Sequence, residues 1–210
     1  MKKFLLPLLT ILLFTACQNQ ISIDKATICG KDWMVKNLDV STYRNGDLIP
    51  KVTDPTAWQA LTTGAWCWYN NDSATYASTY GKFYNWYAVN DPRGLAPTGW
   101  HVPSDAEWTT LGDCLGGWQV AGGAMKETGT THWKSPNTGA TNSSGFTGLP
   151  GGYRDLYGAF YDVGGDGTWW SSTEANTTEA WSRILLSYSG TIERENFLKP
   201  QGWSVRCLRD

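Results

Sequence analysis

Residues 99–108, GWHVPSDAEW, hold a strand end, a helix start and two tryptophans within ten positions. Trp100 and Val102 alternate with His101, the period-two pattern of a half-buried strand. Pro103 cannot donate to a sheet ladder, so the strand is expected to stop there. Ser104 then suits an N-cap: its hydroxyl accepts from the Glu107 amide, and the Glu107 carboxylate reaches back to the Ser104 amide. Asp105 and Glu107 fall in the first turn, where the helix dipole favours negative charge. Trp108, Leu111 and Leu115 recur at helical spacing, and Gly116-Gly117 supplies the stop. The decapeptide therefore predicts a helix over 104–115 with one apolar face.

The N-terminus reads as a targeting segment. Lys2 and Lys3 precede an apolar run, Phe4 to Phe14, that is too short to span a bilayer as a mature helix. Thr15-Ala16-Cys17 resembles a bacterial lipobox, with Phe14 where an aliphatic residue is usual. Cleavage would leave Cys17 as a lipidated N-terminus, and its acyl chains would hold the protein at a membrane. The plainer alternative is a secretory signal cleaved near Ala16. Gln18 in place of an aspartate resembles the pattern that favours the outer membrane in enterobacterial sorting, and the residues leave the membrane face open. The expected organisation is a leader over 1–17, a tether over 18–27 and one domain over 28–210.

Removing residues 1–17 takes two lysines, leaving 15 Lys+Arg against 19 Asp+Glu, a net charge of −4. That balance argues against a nucleic-acid partner. The mature length suits one domain with a sizeable core. Thirteen tryptophans, ten tyrosines and 23 glycines point to an α+β or all-β chain rich in loops, not a helical bundle. After Cys17 the cysteines are Cys29, Cys67, Cys114 and Cys207. An even count in an exported protein suggests two disulfides, with three possible connectivities. The cysteines lack metal-ligand spacing and the chain has two histidines, His101 and His132, so no metal site or cofactor is expected.

Along the rest of the chain, residues 28–38 read as an opening strand and turn. Asn45-Gly46 marks a tight turn. Residues 50–80 are turn-rich, residues 83–89 lean to a short helix, and a further short helix is expected over about 120–127. Residues 158–163, 168–172, 181–188, 191–197 and 203–208 read as a meander punctuated by Gly164-Gly165-Asp166-Gly167 and Ser189-Gly190.

The strings WMVKNL (33–38), YGKFYNWYAVN (80–90), GWHVPSDAEW (99–108), GFTGLPGGYR (145–154), WWSSTE (169–174) and WSVRCLRD (203–210) occur in this order. Together they resemble the Fibrobacter succinogenes major paralogous domain, abundant in lipoproteins of Bacteroidetes and Fibrobacteres. That family is in turn similar to the formylglycine-generating enzyme and the C-type lectins. Val102 to Trp108 and Val205 to Cys207 carry the likeness to the enzyme. The resemblance implies an α+β, C-type-lectin-like or sulfatase-modifying-factor-like fold with antiparallel sheets, about two short helices, long loops and neighbouring termini. It also implies a Cys114–Cys207 bridge, leaving Cys29 with Cys67. Ala96 stands where many members carry a cysteine.

Formylglycine generation needs a reactive, copper-binding cysteine pair before the last strand, and residues 180–204 contain no cysteine. Helix capping explains Asp105 and Glu107 better than a catalytic carboxylate pair. His101 with Asp105 resembles an acid–base pair only by proximity, a strand-end histidine being more often structural, and Ser171-Ser172 lacks a nucleophile elbow. No enzymatic activity is therefore expected. The fold commonly presents loops to glycans or proteins, so the candidate ligand residues are Trp133, Arg154, Tyr157, Trp169, Trp170 and Glu174. Against this, Trp169 and Trp170 point to opposite strand faces, so one at most is core and one free. GGYR also suits a turn with Arg154 in an internal ion pair. Asp162 and Asp166 are spaced carboxylates without the downstream glutamate of an EF-hand loop, and the sugar-selecting strings of calcium lectins are absent. Asp72-Ser73-Ala74 resembles a Bacteroidetes O-glycosylation sequon. The expected function is a lipid-anchored envelope module binding a glycan or envelope protein, with a purely structural surface scaffold as the alternative.

Overall fold

In the computed structural model, which describes residues 23–210, the chain opens on a hairpin of β1 (Lys25–Ile28) and β2 (Lys31–Met34). The leader, Cys17 and the start of the tether lie outside the described residues. The turn-rich stretch that follows holds α1 (Pro55–Gln59), β3 (Trp66–Cys67) and α2 (Ser73–Tyr80). Next come β4 (Phe83–Tyr84), α3 (Trp86–Val89), β5 (Trp100–His101), α4 (Asp105–Cys114) and α5 (Trp118–Met125). The remainder is strand and loop: β6 (Tyr153–Arg154), β7 (Phe160–Tyr161), β8 (Asp166–Glu174), β9 (Glu179–Leu186), β10 (Ile192–Leu198) and β11 (Leu208–Arg209).

The result is an α+β fold with several antiparallel sheets. One has strand order β1-β2-β11-β5 and a second β10-β9-β8, and two short pairs join β3 to β4 and β6 to β7. The last strand lies beside the opening hairpin, with Leu208 opposite Trp33, so the two ends of the described chain share a sheet. Residues 203–208 do not form one strand. Gly202, Trp203 and Ser204 make single bridges to Arg154, Tyr84 and Trp169, threading between three elements before β11 begins.

Five α-helices occur among the described residues, where the resemblance implied about two. The extra helices start on residues that also favour turns. Asp54 accepts from the Ala57 amide ahead of Pro55, Asp72 accepts from the Ala74 and Thr75 amides, and Asn85 caps α3. Asn85 therefore divides residues 83–89 into strand and helix. In α4 the capping box at Ser104 and Glu107 is formed as the decapeptide predicts, and Trp108 and Leu111 are buried. Helix α5 follows after a break at Gly116-Gly117, both at positive φ. It sits close to the β9–β10 connection because Gly122 lacks a side chain: a Cβ there would lie 1.9 Å from the Thr191 carbonyl oxygen.

The disulfide pairing implied by the resemblance is corrected. Cys29 bonds Cys114, while Cys67 and Cys207 are buried free thiols. Cys29 occupies the β1–β2 turn, which reaches the C-terminal end of α4. Cys207 packs in one core cluster and Cys67 in another. Burial pushes both thiols up to about 12, so they are inert hydrophobes at neutral pH.

Candidate functional site

Strand β8 separates two core clusters. Trp170 packs on one side, stacked on Trp203 at 5.1 Å, and its Nε1 donates to the Tyr84 carbonyl at 2.9 Å. Trp169 packs on the other side against Phe146, with Nε1 donating to Asn37 Oδ1 at 2.8 Å. Alternation sends the rings to opposite faces as expected, but both faces are covered and neither ring is free. Trp133 is likewise buried, donating to the Gly148 carbonyl.

Arg154 is fully buried, but not in an ion pair. Its guanidinium donates to the carbonyls of Val52, Thr53 and Gly158 at 2.7, 2.9 and 3.1 Å and lies over Trp58. Two more buried cations follow this plan. Lys126 Nζ donates to the carbonyls of Thr138, Leu186 and Ser189, and burial lowers its pKa to about 8. Arg206 donates to the carbonyls of Met34 and Phe146 and to Asn37, and burial lowers it to about 9. Such charge-assisted bonds tie irregular backbone together where regular ladders are short. Four of the six sequence candidates (Trp133, Arg154, Trp169 and Trp170) are thus framework. Tyr157 is exposed, and Glu174 is an exposed partner of Lys199.

Asp162 adopts φ 59° and its carbonyl accepts from the amides of Gly165 and Asp166, so this segment is a tight turn. Burial and the nearby Asp162 raise the Asp166 carboxyl to about 6. Among the described residues no group of three or more His, Cys, Asp or Glu is arranged to hold a metal ion.

The decapeptide lies between two clefts, with Glu107 lining one and Trp108 the other. Glu107 faces one, of about 510 Å³, together with His101, Arg44 and Ser172. His101 is fixed at both nitrogens, with Nδ1 2.7 Å from Asp210 and Nε2 3.0 Å from Glu107. Ser104 Oγ donates to Glu107, not to the imidazole. A nucleophile–base relay through His101 requires the imidazole to contact a hydroxyl or thiol, and both of its nitrogens are taken by carboxylates. The sequence neighbour Asp105 takes no part in it.

The other cleft, of about 350 Å³, is formed by α4, the start of α5 and strands β9 and β10, and two of its lining residues, Arg183 and Arg194, bind Asp105. The Asp105 side chain is a tie rather than a cap. Oδ1 accepts from Arg183 at 2.7 Å, and Oδ2 accepts from Arg194 at 2.8 Å. Burial alone would raise this carboxyl, but Arg194 and Arg183 outweigh it and hold it below the usual range. Arg183 also donates to Thr109 Oγ1, locking α4 onto β9. Arg194 lies flat on Trp181, 3.4 Å from the ring centroid. Trp118, at the first turn of α5, borders the cleft and is 60 % exposed. The opposite wall includes Trp108, which is buried and whose indole N–H has no acceptor among the described residues.

Sequence reading overlooked Trp118. The glycines before it mark the start of an element, but with thirteen tryptophans in the chain nothing local marks this one as exposed. The chain belongs to the Fibrobacter succinogenes major domain family, which matches residues 26–209. No match was found among curated proteins.

Proposed function

We propose that this family member is a non-catalytic, ligand-binding module of the cell envelope, lipid-anchored through Cys17, and that its ligand enters the cleft beside Trp118. The observation that carries the proposal is an exposed tryptophan bordering a concave site braced by the Asp105–Arg183–Arg194 tie. Concave sites that combine an aromatic side chain with a few placed polar groups are the usual ligand sites. Two further features support a C-type-lectin-like arrangement. The ends of the described chain meet in one sheet, and long loops are held by side-chain cages instead of long ladders.

The non-catalytic reading rests on the occupied His101, on Asp105 tied to Arg183 and Arg194 while Glu107 holds the Ser104 cap, and on buried Cys67 and Cys207 whose thiols are raised to about 12. Binding of glycans and of envelope proteins to the full-length lipoprotein, compared with its Trp118→Ala variant, tests the proposal. Capture that disappears with Trp118 supports it. A variant that retains all binding contradicts the choice of cleft, and a protein with no ligand of either kind contradicts the module in favour of a scaffold.

A further inference from the structure

The polar groups of the Trp118 cleft narrow the chemistry of its occupant. Arg183 and Arg194 share Asp105, which leaves about one positive charge between them. Asp113 and Glu193 also line the cleft, and neither has a cationic partner among the described residues. Together these five side chains sum to one negative charge. An anionic ligand would meet two unpaired carboxylates, and a cation would have to sit beside the guanidinium of Arg194. A neutral ligand escapes both penalties.

The open groups are of two kinds. Arg194 Nη1 is a donor without an acceptor among the described residues, and Asp113 and one oxygen of Glu193 are acceptors without donors. A hydroxyl both donates and accepts, so a polyhydroxylated ring can satisfy the whole set at once. Trp118 adds an exposed aromatic face suited to the C–H face of such a ring. We infer that the cleft binds an uncharged pyranose unit of a glycan, stacked on Trp118 with its hydroxyls directed to Asp113 and Arg194. This inference rests on the proposed binding role and specifies its ligand.

The test is titration of the full-length lipoprotein, ¹⁵N-labelled at tryptophan and held in detergent, with neutral hexose and N-acetylhexosamine oligosaccharides and with uronate-containing and sialylated ones. Neutral saccharides should shift the indole N–H signals of Trp108 and Trp118. Their affinity should fall about ten-fold in Trp118→Ala, the loss of one stacking face, and several-fold in Asp113→Asn. An exposed position makes Trp118→Ala compatible with folding, and an unchanged pattern of the other indole signals verifies it. Preference for the acidic saccharides overturns the inference and leaves the binding module intact. So does saccharide binding that Trp118→Ala does not weaken, or capture of an envelope protein with no saccharide. Absence of any ligand overturns both.

Discussion

Trp118 and the Trp169-Trp170 pair carry the same side chain and have opposite fates. Residues 133–174 concentrate aromatic and charged side chains, and their sequence resembles a binding surface. In the structure their tryptophans pack on both faces of β8 and their arginine is caged by carbonyls. The α4–β10 cleft looks ordinary in sequence, yet it leaves a tryptophan in solvent beside an ion-pair tie. An indole N–H that finds a carbonyl at 2.9 Å is part of the frame, and aromatic content alone does not locate a site.

The contrast can be broken first by stability. Trp169→Ala or Trp170→Ala should each cost about 3–5 kcal/mol, because a buried indole leaves a cavity. Trp118→Ala should change stability by less than about 0.5 kcal/mol. Denaturant unfolding of the three variants checks this, and similar losses at all three positions would erase the distinction. The next effect concerns the disulfide that ties the opening hairpin to the end of α4. Cys29 and Cys114 are separated by 85 residues, and opening such a loop should cost about 4.5 kcal/mol on the chain-entropy model. Cys29→Ser with Cys114→Ser should lower the melting temperature accordingly. Alkylation should reach Cys67 and Cys207 only after unfolding.

A smaller effect sharpens the account of the 133–174 region. Because the Asp166 carboxyl is raised to about 6, the folded state holds this proton more tightly than the unfolded chain. Stability therefore falls as pH rises from about 4 to 6, and above that window a partly buried carboxylate opposes folding. Allowing for its partial exposure to solvent, the penalty is about 1–2 kcal/mol. Asp166→Asn should be more stable than the parent at pH 7 by that amount, and the gain should vanish near pH 4. Thermal melts across pH check both the sign and the window.

Much of the frame was legible where the physics is local. The Ser104–Glu107 box, the helix over α4, its glycine stop and most of the later strands follow from capping and periodicity within a few residues. The disulfide was not legible, because Cys29 meets Cys114 only once the opening hairpin has joined β11 in a sheet. The burial of Trp169 and Trp170 was not legible either. Strand alternation assigns faces, but tertiary packing decides whether a face is covered. Asp105 lies in the first turn as read, yet its two arginines come from 78 and 89 residues away.

The most direct test of the central claim is limited oxidation of the folded protein with N-bromosuccinimide, followed by peptide mapping. Exposed indoles react while buried ones are spared. Trp118 should be modified early, Trp133, Trp169 and Trp170 should be spared until unfolding, and a bound ligand should protect Trp118. Early modification of Trp169 or Trp170, or a bound ligand that leaves Trp118 as reactive as before, would contradict the central claim.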